Sequence, residues 1–179
     1  MNTFVLEIWE DSFDQVTFYT VRWETSPISE TDKFFSRFEE DEEEFKEDFH
    51  ELVALLEDIG NRKGAKPYYF SRQVASISEL PPKMKVRIEE LTLHLTNNRL
   101  RLFCLRLSDH VVILFNGGIK TSQKTQDSPD LSSKLRDAWY FTEVILDELQ
   151  DSYGSINLDS SSRLIIDDKG NDDQIIFER

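Results

Sequence analysis

The chain has 179 residues, with 35 Asp and Glu against 21 Lys and Arg, which gives a formal net charge of −14. This length fits a single domain over residues 1–179, and the 39% apolar content is enough to fill one main core. A single cysteine, Cys104, excludes an internal disulfide and a cysteine-built metal site, and no apolar run reaches the roughly 18 residues of a membrane span. We therefore expect a protein of the reducing cytoplasm that has no membrane partner.

Charge is distributed unevenly along the chain. Residues 1–60 hold 4 Lys and Arg against 18 Asp and Glu, residues 61–136 hold 14 against 6, and residues 137–179 hold 3 against 11. The net charges of these regions are therefore −14, +8 and −8. A cationic centre between two anionic flanks predicts a surface for an anion, in a chain that as a whole repels one.

Strand and helix signals divide the first 60 residues. Residues 3–23 are rich in aromatic and β-branched residues on both sides of a polar turn at Glu10-Asp11-Ser12, which predicts an N-terminal hairpin. Ser29 or Thr31 can cap a following helix. Apolar residues at spacings of three and four then predict an amphipathic helix that ends near residue 60. We expect a helical pair, or one broken long helix, over about residues 30–60.

The centre of the chain reads mainly as strands. Residues 68–70 and 74–80 are expected to be extended up to Pro81-Pro82. Residues 83–95 fit either a helix or, in their second half, a strand. The clearest signal is a hairpin in which residues 100–107 and 111–115 flank the turn Ser108-Asp109-His110.

The last third of the chain predicts a helix followed by a hairpin. Gly117-Gly118 is expected to end the preceding strand, and Asp130 or Ser132 to cap a helix over about residues 132–150. Residues 164–166 and 175–177 then flank a turn-like DDKGNDD segment, which predicts that these two short strands pair with each other.

Three segments within about residues 45–130 occur in an informative order. A helix, FKEDFHELVALLEDIGNRKG, precedes a basic and aromatic link, AKPYYFSRQ, and a strand pair, RLRLFCLRLSDHVVILFNGGIKTSQKTQDSP. The pair contains an Arg-bearing strand, a short turn, an apolar strand and a Lys/Thr cluster before a proline. In these features the region resembles the RelE/ParE/HigB-like toxin superfamily of toxin–antitoxin modules and related phage-derived proteins. The chain departs from typical members, which are shorter and strongly basic.

The resemblance implies a fold class, a function and partners. The implied fold is α+β, with a RelE-like antiparallel curved sheet packed against N-terminal helices. Residues 1–28 would add an N-terminal hairpin, residues 29–150 would form the core with its C-terminal helix, and residues 151–179 would be an acidic C-terminal extension with a hairpin. The implied function is that of a toxin acting as a ribosome-associated mRNA endoribonuclease, whose partners would be a cognate antitoxin and RNA or the ribosome.

Cleavage of RNA without a metal or cofactor requires a base, a cation for the developing phosphate charge and an acid for the leaving oxygen. The residues predicted to supply these groups are Arg72, His94, Lys120 and Lys124. The residues predicted to bind RNA are Arg99, Arg101, Arg106 and Tyr68, the tyrosine by stacking on a base. Strand alternation predicts that Arg99 and Arg101 lie on one face of the sheet.

Two other interpretations use the same residues differently. These charges can simply hydrate an exposed sheet face, while His94 and Tyr68 pack against their neighbours. Alternatively, the protein is a non-catalytic interaction module on the RelE-like scaffold, whose basic sheet face is occluded by the acidic flanks and whose sheet or groove grips a peptide or a helix. An acidic mimic of nucleic acid is a further interpretation, which rests on total charge alone.

Overall fold

The computed structural model describes residues 2–40, 43–73, 76–150 and 154–179, and within them the chain has an α+β fold, as expected. The helices are α1 (Glu30–Glu39), α2 (Lys46–Asp58) and α3 (Pro129–Gln150). The strands, in chain order, are β1 (Thr3–Glu10), β2 (Thr17–Trp23), β3 (Ser71–Arg72), β4 (Ile77–Leu80), β5 (Lys85–Ile88), β6 (Leu91–His94), β7 (Leu100–Arg106), β8 (Val111–Ile119), β9 (Ile156–Asp159), β10 (Leu164–Asp167) and β11 (Gln174–Glu178).

Seven strands form the main sheet, in the order β11-β1-β2-β8-β7-β4-β3. All neighbours are antiparallel except β2 and β8, which pair in parallel between residues 17–20 and 111–114. The expectation of a purely antiparallel sheet is therefore wrong at this one contact. The two predicted hairpins, β1–β2 and β7–β8, are confirmed, and their parallel contact joins them into one sheet. A parallel pair requires a long crossover between its strands, and α1 and α2 lie in that crossover.

Each face of the sheet is covered by its own layer. Alternation along β2 sends Phe18 to one side and Tyr19 to the other. On the first side, α1 and α2 pack through Phe34 and Leu52, both fully buried. On the second side, α3 packs together with the two-stranded β9–β10 sheet. The sheet therefore has an apolar cover on each of its faces.

The N-terminal capping signal and the helical periodicity are both correct. Ser29, one of the two residues predicted to cap this helix, is the cap of α1. Its hydroxyl accepts a hydrogen bond from the Asp32 amide at 3.0 Å. The helical segment is a pair, and α2 continues into a single π-helical turn at Ile59–Lys63. A short 3-10 turn, Pro67–Tyr69, replaces the extended structure expected there, because Pro67 fits the first position of such a turn.

Residues 83–95, whose sequence fits either a helix or, in the second half, a strand, contain a small hairpin of β5 and β6. Val86, Ile88 and Leu93 are buried at alternating positions, whereas Leu91 is 59% exposed. A strand period of two places these three side chains against α2, which a helix over the same residues would not do. The short β5–β6 hairpin stands apart from the main sheet and flanks α2.

Gly117 and Gly118 lie inside β8 and do not end it, contrary to expectation. An irregularity in the β7–β8 register brings the backbones close together, so that a Cβ on Gly117 would lie 1.9 Å from the Arg101 carbonyl oxygen. Only glycine fits such an approach. The following helix also begins earlier than expected, at Pro129, because proline is favoured in a first helical turn.

The C-terminal strands pair differently from the prediction. A helix and a hairpin follow each other as expected, but the hairpin joins β10 to β9, and β11 instead pairs with β1 at the edge of the main sheet. The Phe177 ring stacks on Phe4 with centroids 4.9 Å apart, and this apolar contact stabilises β11 beside β1. Ile156 and Ile165 are also buried. The segment after α3 is therefore part of the core and is not a detachable acidic flank.

Candidate functional site

A buried carboxylate, that of Glu79, forms ion pairs with two of the cationic residues predicted to be functional. Glu79 extends from β4 with its side chain 3% exposed, and its Oε1 lies 3.4 Å from Arg101 Nε and 3.7 Å from Lys120 Nζ. The Thr125 hydroxyl donates a hydrogen bond to Glu79 Oε2 at 2.9 Å. One anion therefore neutralises two cations that come from β7 and from the end of β8.

Arg101 is enclosed by protein and does not face solvent. Its side chain is 3% exposed, and its Nη1 donates to the carbonyl oxygens of Asn98 and Leu100 at 2.7 and 2.5 Å. Burial lowers the pKa of Arg101, and the adjacent Glu79 charge opposes that change. For Lys120, burial is likewise the main cause that lowers the pKa. Both cations are thus held inside the protein by the same carboxylate.

A second carboxylate, Asp109, holds the predicted RNA-binding residue Arg106. Arg106 Nη2 lies 2.5 Å from Asp109 Oδ1, and its Nε donates to the Ala65 carbonyl oxygen. Lys66 forms an ion pair with the other oxygen of Asp109. The hydrogen bond from Lys66, followed by that from Arg106, lowers the pKa of the aspartate and keeps it charged.

Arg99 is engaged at the start of α2. Its Nε donates to Asp48 Oδ2 at 2.9 Å, and its Nη2 donates to the Glu44 carbonyl oxygen at 2.6 Å. The guanidinium also lies over the Phe45 ring, 4.4 Å from its centroid. Arg99 therefore reaches toward the α2 side of the sheet, whereas Arg101 lies on the same side of β7 as Phe103, facing α3. The expectation that these two arginines share a face is wrong, because Arg99 precedes the first residue of β7.

Sequence reasoning missed the third shared carboxylate, Asp130. Its oxygens accept hydrogen bonds at 2.9 Å from Arg37 and from Lys134, and at 2.7 Å from the Ile119 amide. Burial alone would raise the pKa of Asp130, but the hydrogen bonds, that from Arg37 first, lower it to about 2. A Cβ on Gly118 would lie 2.2 Å from Asp130 Oδ2. The position beside the two glycines is thus filled by the protein's own anion.

The remaining predicted site residues lie at separate places on the surface. Arg72 is exposed on the edge strand β3, and Lys124 is exposed in the loop between β8 and α3. His94 is exposed at the end of β6 and lines a groove beside α2. Tyr68 is 60% exposed, with its ring 4.5 Å from that of Tyr69. Of the eight predicted residues, the structure brings Arg101 and Lys120 together through Glu79.

The chain matches no protein-family model, no curated protein and no solved structure. Within residues 2–40, 43–73, 76–150 and 154–179, no cluster of His, Cys, Asp and Glu has the arrangement of a metal site. None of the helices in this described part of the chain is long and apolar enough to cross a membrane.

Proposed function

We propose that this protein is a non-catalytic protein-interaction module built on a RelE-like scaffold, of the kind that belongs to toxin–antitoxin systems. The observation that carries the proposal is the internal pairing of individual cations of the basic centre with carboxylates of the same chain. Glu79, Asp109 and Asp130 each bind two cations of the same chain.

Burial adds to the argument from charge. A guanidinium acts on a phosphate through direct, paired hydrogen bonds. Arg101 is 3% exposed and Lys120 is 10% exposed, so RNA would have to displace Glu79 and open the sheet edge to reach them. Displacing the carboxylate would leave it buried without its partners, which costs several kcal/mol. These contacts favour a structural role for both side chains.

The covering of the sheet points the same way. The face of the sheet opposite α1 and α2 packs against α3 and β9–β10, and this contact is formed by fully buried apolar residues such as Phe141 and Ile165. An apolar cover therefore lies where the occlusion hypothesis places acidic flanks, and individual carboxylates pair with the cations. A sheet covered in this way offers its partners the outer surfaces of its helices and hairpins.

A second function, mRNA endoribonuclease activity, is favoured by one specific observation. Lys124 is exposed, and the next residue, Thr125, is bonded to Glu79, which in turn contacts Lys120. Both predicted lysines thus belong to one loop at the end of the sheet. Under this second function the loop would move and present Lys120 and Lys124 to RNA.

Purification of the full chain from its own cells, followed by native mass spectrometry, tests the first proposal. The expected result is a stoichiometric complex with another protein and without RNA. Recovery of the chain with bound RNA or ribosomal subunits, or as a free chain only, would overturn the proposal.

Induced expression distinguishes the two functions. A non-catalytic module should not arrest growth, and transcripts mapped by primer extension should show no new cleavage. The variant Lys124→Ala tests the loop, and Lys169→Ala, which removes another exposed lysine in a distant turn, is its matched control. Growth arrest that Lys124→Ala abolishes and Lys169→Ala retains would establish the endoribonuclease in place of the module.

A further inference from the structure

A groove runs along the outer side of α2. A cavity of about 910 Å³ lies between α2 and β6, where its lining includes Glu47, Ala54 and Leu91. A second cavity, of about 510 Å³, lies between α1 and α2. The two share Glu43, Lys46 and His50, so they form one continuous concave surface, which we call the α2 groove.

The groove is strongly acidic, and only part of its charge is used internally. Asp48 pairs with Arg99, and Glu51 accepts a hydrogen bond from Asn98. The side-chain carboxylates of Glu39, Glu43 and Glu47 form no ion pair or hydrogen bond within the residues that the structure describes, and Glu43 and Glu47 are exposed. This differs from the basic centre, where single carboxylates are shared between cations. One lysine, Lys46, lines the groove among these glutamates. The negative potential of the groove is thus available to a partner.

The groove also contains apolar side chains. Leu91, on β6, is 59% exposed and is one of five large apolar side chains that are exposed in the described part of the chain. Ala54 and Val53 are half-buried on α2, and Phe35 and Phe49 line the part between the two helices. Apolar surface rimmed by charge is typical of a site for another protein chain.

We propose that the α2 groove binds a basic amphipathic segment of a partner protein, whose apolar residues contact Leu91 and Ala54 and whose Lys and Arg residues pair with Glu43 and Glu47. Charge complementarity identifies this occupant. A nucleic acid is repelled by the glutamates, and a second copy of this chain, with its net charge of −14, has the same sign as the groove. The inference rests on the proposed function and names the surface and the partner class that this function uses.

A synthetic amphipathic peptide of roughly 18 residues, or about five helical turns, provides the probe. The peptide contains lysine and leucine at helical spacing, and a glutamate and leucine peptide of the same pattern is its charge control. Fluorescence anisotropy with the full-length protein should show micromolar binding of the lysine peptide, weakened by salt, and no binding of the glutamate peptide.

Two variants of equal net charge separate groove binding from general attraction to an acidic protein. Glu43→Lys with Glu47→Lys should weaken peptide binding about tenfold or more, whereas Asp172→Lys with Asp173→Lys, on the exposed β10–β11 turn, should weaken it less than about threefold. Leu91→Ser should weaken binding roughly three- to tenfold, because it removes apolar contact area. Ile176→Ser, at a 61% exposed position on β11, should leave binding unchanged.

The outcomes distinguish this inference from the proposed function. Equal losses for the two charge variants, or a Leu91→Ser variant that binds as well as the parent, would overturn the groove inference. Native mass spectrometry of the Glu43→Lys, Glu47→Lys protein from its own cells should show loss of the protein partner. If that partner is retained, the groove inference fails and the interaction module stands. If the unaltered chain has no protein partner at all, the proposed function itself fails.

Discussion

Replacing Glu79 by glutamine tests the internal neutralisation of the basic centre. The amide has the shape of the carboxylate and can still accept the hydrogen bond that the Thr125 hydroxyl donates at 2.9 Å. The substitution therefore removes the charge while keeping the size and one polar contact. What remains is a guanidinium, that of Arg101, with no anion beside it and with its side chain 3% exposed.

The size of the effect follows from the burial of both partners. Removing one partner of a buried ion pair costs about 3–5 kcal/mol, because the other charge stays desolvated and uncompensated. Lys120 loses the same carboxylate at 3.7 Å, but it is less deeply buried and adds less. Since a domain of ordinary stability unfolds with about 5–15 kcal/mol, Glu79→Gln should remove a large share of the total.

Urea denaturation at neutral pH, followed by tryptophan fluorescence, measures this loss. Glu178→Gln, at an exposed position on β11, is the matched control and should change the free energy of unfolding by less than about 0.5 kcal/mol. In a double-mutant cycle, Glu79→Gln with Arg101→Met should cost clearly less than the sum of the single changes. A Glu79→Gln protein that unfolds within about 1 kcal/mol of the parent would refute the reasoning, as would strict additivity in the cycle.

Three further predictions concern pH, thiol access and backbone packing. The pKa of Asp130 is about 2, against an ordinary 3.8, so its ion pairs stabilise the fold above pH 4 and lose this effect as the pH falls toward 2. The difference in unfolding free energy between the parent and Asp130→Asn should therefore shrink over that range. A difference that does not depend on pH would contradict the assignment. Cys104 is fully buried and burial raises its pKa, so Ellman's reagent should modify it only as fast as the protein unfolds. Complete reaction within minutes in the absence of denaturant would show that the thiol is not buried. Gly117→Ala should reduce the free energy of unfolding by about 1–3 kcal/mol, because the new methyl group would overlap the Arg101 carbonyl oxygen. A variant that is as stable as the parent in urea would argue against the close approach of β7 and β8.

Local patterns predicted the local elements. The alternation of aromatic and β-branched residues predicted β1 and β2, and the turn at Ser108-Asp109-His110 predicted β7 and β8. Spacings of three and four predicted α2, since they place Phe49, Leu52 and Leu56 on one buried side. In each case the signal is contained in neighbouring residues, so the chain order is sufficient to interpret it.

Pairings between distant segments were not predictable in this way. A turn signal between β10 and β11 predicted that these two strands pair with each other. Phe177 of β11 instead contacts Phe4, 173 positions earlier, and nothing in the local sequence indicates this pairing. The parallel contact of β2 with β8 has the same origin. Such contacts depend on which apolar faces remain uncovered once the rest of the sheet has formed.

The candidate site shows the same limit for charged residues. In the sequence Leu100-Arg101-Leu102 an arginine between leucines favours an exposed position by strand alternation. Its burial depends on Glu79, which lies 22 positions earlier and reaches it through the neighbouring strand β4. Asp130 was considered only as a helix cap, because Arg37 is distant in sequence. Excess positive charge in residues 61–136 was a correct observation, but the sequence did not show which of these cations pair with Glu79, Asp109 and Asp130 inside the region and which with Asp48 outside it.

The parallel contact between β2 and β8 also has a consequence for how the protein forms during synthesis. The two β-hairpins that it unites are separated by more than seventy residues, so the first must emerge from the ribosome long before its neighbour exists. Until β8 arrives, one edge of β2 offers unpaired amides and carbonyls to any extended chain nearby. Contacts of such long sequence separation slow folding, and they leave the early-made hairpin as the part of this protein that most needs protection from aggregation.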